Sequence, residues 1–141
     1  MNLPGQLHHV GWAVARIENA TQLLQNLGYE SDPALPDQPD PEFGVALRFL
    51  RRAHDPVLLE LVMPTRPDSI VSAWLERTGP GPYHLGYRVD DLELAAQHMR
   101  GLGFRPVTSR HPAPALAGRA IQFFRHPEVG LVELILWPMT V

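Results

Sequence analysis

The strongest constraint on this chain is an internal repeat, in which its two halves align at an offset of 75 residues. Residues 9–29 and 84–104 share 8 identities over 21 aligned positions, whereas unrelated segments of this length share about one or two. Two further pairs of segments align at offsets of 74 and 73, and they are residues 46–51 with 120–125 and residues 59–62 with 132–135. One supersecondary unit is therefore expected to occur twice in the fold.

Both halves predict the same order of elements. A short segment rich in aromatic and β-branched residues opens each half and predicts a strand, HHVGWAV in the first and HLGYRV in the second. Apolar residues at helical spacing follow and end at Gly28 and Gly103, where a helix terminus favours a residue that adopts positive φ. Further strands are predicted for VALRFLR, VLLELVM, RAIQFF and GLVELIL. The expected fold class is α+β, with two βαβββ units.

The repeats also set the expected domain organisation. The first covers about residues 5–64, the second about residues 82–138, and residues 65–81 form the linker between them. A chain of 141 residues has an ordinary size for one domain. We therefore expect the two repeats to share one core within residues 1–141.

Local signals predict two helix starts and one loop. A short helix is expected over residues 69–77, with Asp68 as its N-cap. Asp90, with Glu93 three residues later, resembles a capping box at the start of the helix in the second half. Residues 31–42 contain four prolines and four acidic residues without an apolar period, which predicts a surface loop.

Composition excludes several classes of function. The chain contains no cysteine, so disulfides, thiolate catalysis and cysteine-ligated metals are excluded, and a metal here would be held by His, Asp, Glu or backbone oxygen. All 12 basic residues are arginine, which excludes Schiff-base chemistry and a Walker-type phosphate loop. A net charge of −3 without a basic block argues against nucleic acid as a partner. No apolar run has the length of a membrane span and no signal peptide is evident, so we expect a cytoplasmic protein.

The repeat selects four polar residues by placing them at equivalent positions. Each half has one His at the start of its first strand and one Glu within its last strand, namely His9 with Glu60 and His84 with Glu133. Apolar residues flank both glutamates, so each carboxylate is expected to be buried, which costs several kcal/mol unless it is paired or bound to a metal. Two imidazoles and two carboxylates form a balanced site for a divalent ion such as Zn, Co, Ni, Mn or Fe.

Two alternatives apply to this set. In the first, both histidines are ordinary residues of the sheet and the glutamates pair with neighbouring arginines such as Arg48 or Arg88. In the second, His8 rather than His9 is the ligand. The repeat favours His9, because His8 aligns with Tyr83 and is expected on the other face of the strand.

These residues lie in segments that resemble the vicinal oxygen chelate superfamily, which includes glyoxalases, bleomycin-resistance proteins and extradiol dioxygenases. The similar segments cover nearly the whole chain in the order of the family, and they are HHVGWAV, PEFGVALRFL, LLELVMP, DSIVSAWLERTG, YHLGYRVDDLELAAQHMRGLGF and AGRAIQFFRHPEVGLVELI. Within the superfamily the sequence is most similar to methylmalonyl-CoA epimerases and glyoxalase-like proteins. The resemblance implies two βαβββ modules that curl into a cupped, open, mixed-sheet barrel, with a central metal held by His9, Glu60, His84 and Glu133.

The resemblance to the epimerases implies metal-assisted removal of a proton next to a carbonyl, with an acyl-CoA such as methylmalonyl-CoA as the substrate. The ion would chelate the thioester and carboxylate oxygens of the substrate and act as a Lewis acid, while an acid/base group on each face of the carbon exchanges the proton. Glu133 is one candidate for this role. Some epimerases place a second carboxylate where this chain has Leu47. The nearest acid here is Glu42, which is a candidate for the second group but, at the edge of a loop, also fits an ordinary solvated side chain. The resemblance also implies a homodimer.

Other functions fit the same fold. A glyoxalase-type lyase would differ mainly in the tail of its substrate, whereas extradiol cleavage needs more open metal positions than four protein ligands leave. A non-enzymatic protein that sequesters an apolar or antibiotic-like ligand would line the cup with aromatic residues, and the candidates, which also fit an ordinary core, are Trp12, Phe49, Trp74 and Tyr87. The arginines that either rim the cup or are simply solvated are Arg48, Arg51, Arg52, Arg110 and Arg119.

Overall fold

The structure, a computed structural model, describes residues 5–138 and builds each half of the repeat from one helix and five strands. The first half contains β1 (Gly5–Ala13), α1 (Ile17–Gln25), β2 (Tyr29–Ser31), β3 (Gln38–Asp40), β4 (Val45–Arg52) and β5 (Leu58–Pro64). Between the halves lies α2 (Ile70–Thr78). The second half contains β6 (Gly81–Val89), α3 (Leu92–Gly101), β7 (Arg105–Pro106), β8 (His111–Ala113), a short 3₁₀ helix (Pro114–Leu116), β9 (Arg119–His126) and β10 (Gly130–Leu136). None of these described helices has the length and apolar character needed to cross a membrane.

The ten described strands form one mixed sheet whose order follows the repeat. Along the sheet the order is β2-β4-β5-β1-β6-β10-β9-β7, with β3 beside β4 and β8 beside β9. At the centre β1 and β6 pair antiparallel, while β5 joins β1 and β10 joins β6 in parallel. When every strand is replaced by its counterpart in the other half, the same order results, read from the opposite edge of the sheet. The sheet ends at β2 and β7 without closing, which confirms the predicted α+β class with an open mixed sheet.

The sheet curls so that its two halves share an inner face. Phe49 of β4 packs with Ile121 of β9 and Ile135 of β10 in one buried cluster. On the outer face, α1 packs against Leu61 of β5, and α3 packs against β9 and β10. Because side chains alternate along a strand, the outward position of Leu61 leaves the preceding Glu60 facing the interior. The helices thus occupy the outside and leave the inner face free for a site.

Helix α2 begins one residue later than the sequence predicts. Ser69, not Asp68, is its N-cap, and Ser69 Oγ accepts a hydrogen bond from the backbone N of Val71 at 3.3 Å. Asp68 instead accepts a hydrogen bond from Arg66 Nε at 2.8 Å. The prediction of Asp68 as the cap is therefore wrong, because an arginine two residues earlier binds that carboxylate.

Helix α3 shows the same displacement at its start. Its N-cap is Asp91 rather than Asp90, and the Asp91 carboxylate accepts a hydrogen bond from the backbone N three residues later. The predicted capping box does not form, because the Glu93 carboxylate pairs with an arginine beyond the helix. The predicted positive φ after the helices is confirmed, since Gly28 and Gly103 both have φ of 92°.

The acidic, proline-rich segment of residues 31–42 is not wholly a loop. Residues Gln38–Asp40 form β3, which pairs antiparallel with β4. Pro39 is tolerated there because β3 has β4 as its one partner, so the missing N–H of proline removes no bond to a second strand. This strand carries Asp40 to the inner face of the sheet, which a surface loop would not do.

Candidate metal centre and cavity

The four polar residues selected by the repeat meet at the centre of the inner face. His9 lies on β1, Glu60 on β5, His84 on β6 and Glu133 on β10, and each is at most 5% exposed. His9 Nε2 is 3.0 Å from His84 Nε2, 3.0 Å from Glu133 Oε1 and 3.5 Å from Glu60 Oε1. His84 Nε2 is 3.3 Å from Glu60 Oε1 and 3.2 Å from Glu133 Oε1. Each half therefore supplies one imidazole and one carboxylate to a single buried point.

Two glycines make room for the histidine rings. In the pairing of β1 with β6, Gly11 lies opposite His84 and Gly86 lies opposite His9. A Cβ atom on Gly11 would lie 2.7 Å from His84 Nε2, and one on Gly86 would lie 2.6 Å from His9 Nε2. A larger residue at either position would displace the opposing ring. The sequence shows this feature only as a His-x-Gly spacing that occurs in both halves.

The donor set fits a divalent ion. Its four ligand atoms lie within 4.8 Å of one another, and ligands held at about 2.1 Å from an ion and at right angles are about 3.0 Å apart. Glu133 Oε1 is buried and has no hydrogen-bond partner among residues 5–138, as expected of an atom available to a metal. Arg48 and Arg88 bind other groups in the described chain, so the alternative in which they satisfy the glutamates is wrong.

The contacts within the cluster stabilise the charged forms of His84 and Glu133. Burial alone would lower the pKa of His84, but the interactions with Glu133 and Glu60 outweigh it and raise that pKa to about 9. Burial would raise the pKa of Glu133, but His84 and His9 hold it well below its usual range. An ion that bound to this set would displace a proton from His84.

The residues that precede the two histidines also face the site. The pairing of β1 with β6 shifts register once at His8 and once at Tyr83, so each is the extra residue of a β-bulge. His8 Nδ1 lies 2.8 Å from His9 Nδ1, and the Tyr83 ring centroid lies 5.4 Å from that of His84. The expectation that His8 turns away from the site is therefore wrong, because the bulge breaks the alternation of the strand. Burial and then the charge of His9 lower the pKa of His8 to about 3, which leaves a neutral ring beside His9.

A cavity of about 350 Å³ opens onto this cluster. Glu60, His84 and Glu133 form part of its wall. Apolar side chains form much of the remainder, among them Val45, Leu47, Val62, Ile121, Phe123 and Leu131. The cavity therefore offers a polar, metal-binding end within walls suited to an apolar group.

Two further carboxylates line the cavity. Glu42, predicted as a candidate for proton transfer, reaches the cavity wall although it is exposed. Asp40 also lines the cavity and is 5% exposed. Asp40 was not predicted as a site residue, because the whole segment of residues 31–42 was expected to be a surface loop. Leu47 lines the cavity as well, so the position at which some epimerases carry a carboxylate faces the site and is apolar here.

Of the two interpretations of the five candidate arginines, the one in which they rim the cup is excluded, because none of them lines the described cavity. The arginines that line the described cavity are Arg66 and Arg125. Strand alternation explains the outcome on β4, because Leu47 faces inward and the next side chain, Arg48, points outward and binds Asp37.

The four aromatic candidates lie in or against the core, which was the other interpretation of their positions, and none of them lines the described cavity. The aromatic residues that line the described cavity are Phe43, Tyr83 and Phe123. Phe49 is 1% exposed and belongs to the buried cluster shared by both halves. The residues of the prediction that pack elsewhere, partly buried, are Trp12, Trp74 and Tyr87.

Comparison with known proteins gives relatives along most of the chain. An ethylmalonyl-CoA/methylmalonyl-CoA epimerase from Cereibacter sphaeroides is 29% identical over 126 residues, which cover 88% of this chain and 90% of the relative. The crystal structure of methylmalonyl-CoA epimerase from Mycobacterium tuberculosis has a TM-score of 0.80 and 27% identity, and covers 95% of this chain and 88% of that one. A variant of the Streptomyces coelicolor methylmalonyl-CoA epimerase in complex with 2-nitronate-propionyl-CoA has a TM-score of 0.77 and 26% identity, and covers 96% and 98% of the two chains.

The family match agrees with the fold and with the resemblance noted in the sequence. Residues 8–123 match the family described as the Glyoxalase/Bleomycin resistance protein/Dioxygenase superfamily. This span includes three of the four residues of the cluster, and the same open, duplicated sheet carries the fourth. The chain therefore belongs to the Glyoxalase/Bleomycin resistance protein/Dioxygenase superfamily, also called the vicinal oxygen chelate superfamily.

Proposed function

We propose that this protein is a metal-dependent epimerase that exchanges the α-proton of an acyl-CoA such as methylmalonyl-CoA. The observation that carries the proposal is the buried cluster of two histidines and two glutamates on the wall of a largely apolar cavity. The relatives support the substrate class, because their names describe epimerases of methylmalonyl-CoA or ethylmalonyl-CoA.

In this proposal His9, Glu60, His84 and Glu133 hold the ion. When bound, a divalent metal supplies Lewis-acid stabilisation of the negative charge that develops on a carbonyl oxygen. Neutral imidazoles and carboxylates suit Zn, Co, Ni, Mn or Fe, and they disfavour Cu(I), which prefers sulfur ligands. His8 would keep the His9 ring oriented, because the His9 Nδ1–H can donate to His8 Nδ1.

Glu133 is the proposed base on one face of the α-carbon. It lines the cavity, and an ionised carboxylate can accept a proton. Inversion of the centre requires a second acid/base group on the opposite face. Glu42 is our candidate for that group, and Asp40 is the other carboxylate on the same stretch of wall.

The apolar wall has a separate role in this chemistry. Leu47, Val62 and Phe123 line the cavity beside the carboxylates. Such side chains exclude water from the acyl group, and electrostatic interactions are stronger where water is excluded.

The first experiment follows the α-proton of methylmalonyl-CoA by proton NMR in D2O with cobalt-loaded protein. We expect the signal to disappear faster than in buffer, and chelation of the metal to abolish the effect. Glu133→Gln is expected to lower the exchange rate by about 10²-fold or more, as is typical for loss of a general base. A fully loaded protein that exchanges no proton would contradict the proposal.

Two matched variants identify the second group. Glu42→Gln and Asp40→Asn each remove one negative charge with little change of shape. Loss of an acid on one face blocks inversion but leaves exchange by Glu133, so we expect epimerisation to fall more than α-proton exchange. Retention of full epimerisation by Glu42→Gln would exclude Glu42 as that group.

A second candidate function is favoured by Leu47. An apolar residue at this position suits binding of an apolar or antibiotic-like ligand without turnover, or a glyoxalase-type reaction on a different substrate. Absence of exchange from metal-loaded protein would favour these alternatives. The family resemblance also leads us to propose a homodimer in the cytoplasm, and the molar mass in solution tests the dimer.

A further inference from the structure

One positive charge on the cavity wall has no partner. Arg66 and Arg125 both line the cavity. Arg66 is already engaged, since its Nε donates to Asp68 and its two terminal nitrogens donate to the backbone oxygens of Pro41 and Glu42. The side chain of Arg125, an exposed residue, forms no hydrogen bond or ion pair with any residue in the described range 5–138. Its guanidinium is therefore available to a ligand.

The register of β9 places Arg125 on the strand face that lines the cavity, two residues along the sheet from the pair that contains Glu133. Ile121, Phe123 and Arg125 are two residues apart and all line the cavity, as expected for one face of a strand. Phe123 pairs with Glu133 on β10, and Arg125 pairs with Leu131. Arg125 thus starts two residues, about 7 Å, along the sheet from the pair that contains Glu133. An extended arginine side chain covers a distance of this order.

Among the charged residues on the cavity wall, Arg125 is the group that attracts an anion, because the others are either paired or negative. Glu60 and Glu133 would be neutralised by a divalent ion, and the charge of Asp68 is balanced by Arg66. The remaining acids, Asp40 and Glu42, repel a negative ligand. Among the cavity-lining residues within 5–138, Arg125 is thus the one unpaired cation.

We propose that Arg125 binds the carboxylate of the acyl group, through the oxygen that chelation of the ion would leave free, and thereby selects dicarboxylic acyl thioesters over monocarboxylic ones. Arginine matches a carboxylate with two parallel N–H···O bonds, which gives both affinity and orientation. A CoA tail also carries anionic phosphates, but these lie beyond the long pantetheine arm, whereas Arg125 lies about 7 Å along the sheet from the Glu133 pair. This inference rests on the proposed function, which supplies the acyl thioester as substrate, and it adds the residue that binds the acyl carboxylate.

The test compares two acyl groups on two tails. Methylmalonyl and isobutyryl thioesters differ in that a methyl group replaces the carboxylate, and each is used as the CoA thioester and as the N-acetylcysteamine thioester, which has no phosphate. Dissociation constants are measured by isothermal titration calorimetry with zinc-loaded wild type, Arg125→Gln, Arg125→Lys and the control Arg100→Gln. Arg100 is exposed on α3 outside the cavity, so its variant matches the loss of charge.

We expect Arg125→Gln to weaken binding of both methylmalonyl thioesters by about tenfold or more, which is the usual effect of losing a hydrogen-bonded charge. Binding of both isobutyryl thioesters is expected to change by less than about twofold, and Arg125→Lys is expected to be intermediate. Arg100→Gln is expected to behave as wild type.

Three outcomes would overturn the inference. They are unchanged binding of the methylmalonyl thioesters, equal weakening for both acyl groups, and weakening confined to the CoA thioesters, which would indicate a phosphate contact. Titration with free methylmalonate separates this inference from the proposed function. If Arg125→Gln weakens methylmalonate binding while wild type exchanges no α-proton of methylmalonyl-CoA, then the epimerase proposal fails and the carboxylate site stands.

Discussion

At the scale of single residues, Gly11 and Gly86 determine whether the histidines can share one ion. A Cβ at residue 86 would lie 2.6 Å from His9 Nε2, which is the atom that faces the cluster. We expect Gly86→Ala to displace that ring, to weaken zinc binding about 10- to 100-fold, and to lower the free energy of unfolding by about 1–3 kcal/mol through overpacking. Competition with a chelator gives the zinc affinity, and urea unfolding of the metal-free protein gives the stability.

A glycine elsewhere in the chain provides the control for this effect. Gly101 ends α3, and a Cβ there would meet nothing within 4 Å. Gly101→Ala is expected to keep the zinc affinity of wild type and to be as stable or slightly more stable, since alanine loses less conformational entropy on folding. Wild-type zinc affinity in Gly86→Ala would show that the ring of His9 is not the constrained ligand that we describe.

At the scale of elements, the cap of α2 links that helix to the cavity edge. Ser69 is buried, its Oγ accepts from the backbone N of Val71, and its hydroxyl donates to the backbone oxygen of Phe43, which lines the cavity. We expect Ser69→Ala to cost about 1 kcal/mol or more of unfolding free energy. Asp68→Ala is expected to cost less, because the carboxylate of Asp68 forms an exposed pair with Arg66, worth about 0–1 kcal/mol. Urea unfolding of both variants compares the two losses of unfolding free energy, and a larger loss for Asp68→Ala would indicate that Asp68 is the N-cap.

Helices and strands were predictable from the sequence where apolar residues recur at one clear spacing, and they were less predictable where two local signals compete. The long strands and the helices follow from apolar spacing that occurs twice. The helix starts were displaced by one residue because two candidate caps are adjacent in sequence and an arginine binds one of the acids on which the prediction relied. Arg66 binds Asp68 before α2, and Arg110 binds Glu93 in α3. Strand β3 was missed because prolines mark turns in a local reading, while its pairing with β4 is a tertiary contact. Arg125 was missed because its inward face depends on the register of β9 with β10.

At the scale of the whole molecule, the duplication explains why the candidate ligands were predictable although they are far apart in sequence. Each half of the repeat places its His and Glu on adjacent parallel strands, β1 with β5 and β6 with β10. The antiparallel pairing of β1 with β6 then brings the two pairs together. The internal repeat therefore identified the four residues of the cluster without knowledge of the tertiary structure. It gave no information about the second carboxylate, because Asp40 and Glu42 have no equivalent acid in the other half. Arg125 does have an equivalent, Arg51, but Arg51 pairs with Glu30 and does not line the described cavity.

An ion bound at this point would cross-link the two halves of the molecule through strands β1, β5, β6 and β10. Because unfolding separates the ligands, zinc should stabilise the native state by about 4 kcal/mol at a free concentration 1,000 times its dissociation constant. We therefore expect a higher melting temperature with zinc than with chelator, and a single transition in both. His84→Ala is expected to lose the zinc-dependent increase, whereas Glu42→Gln, which changes a cavity acid outside the cluster, is expected to retain it. An equal increase in wild type and His84→Ala would show that zinc stabilises the protein from another site.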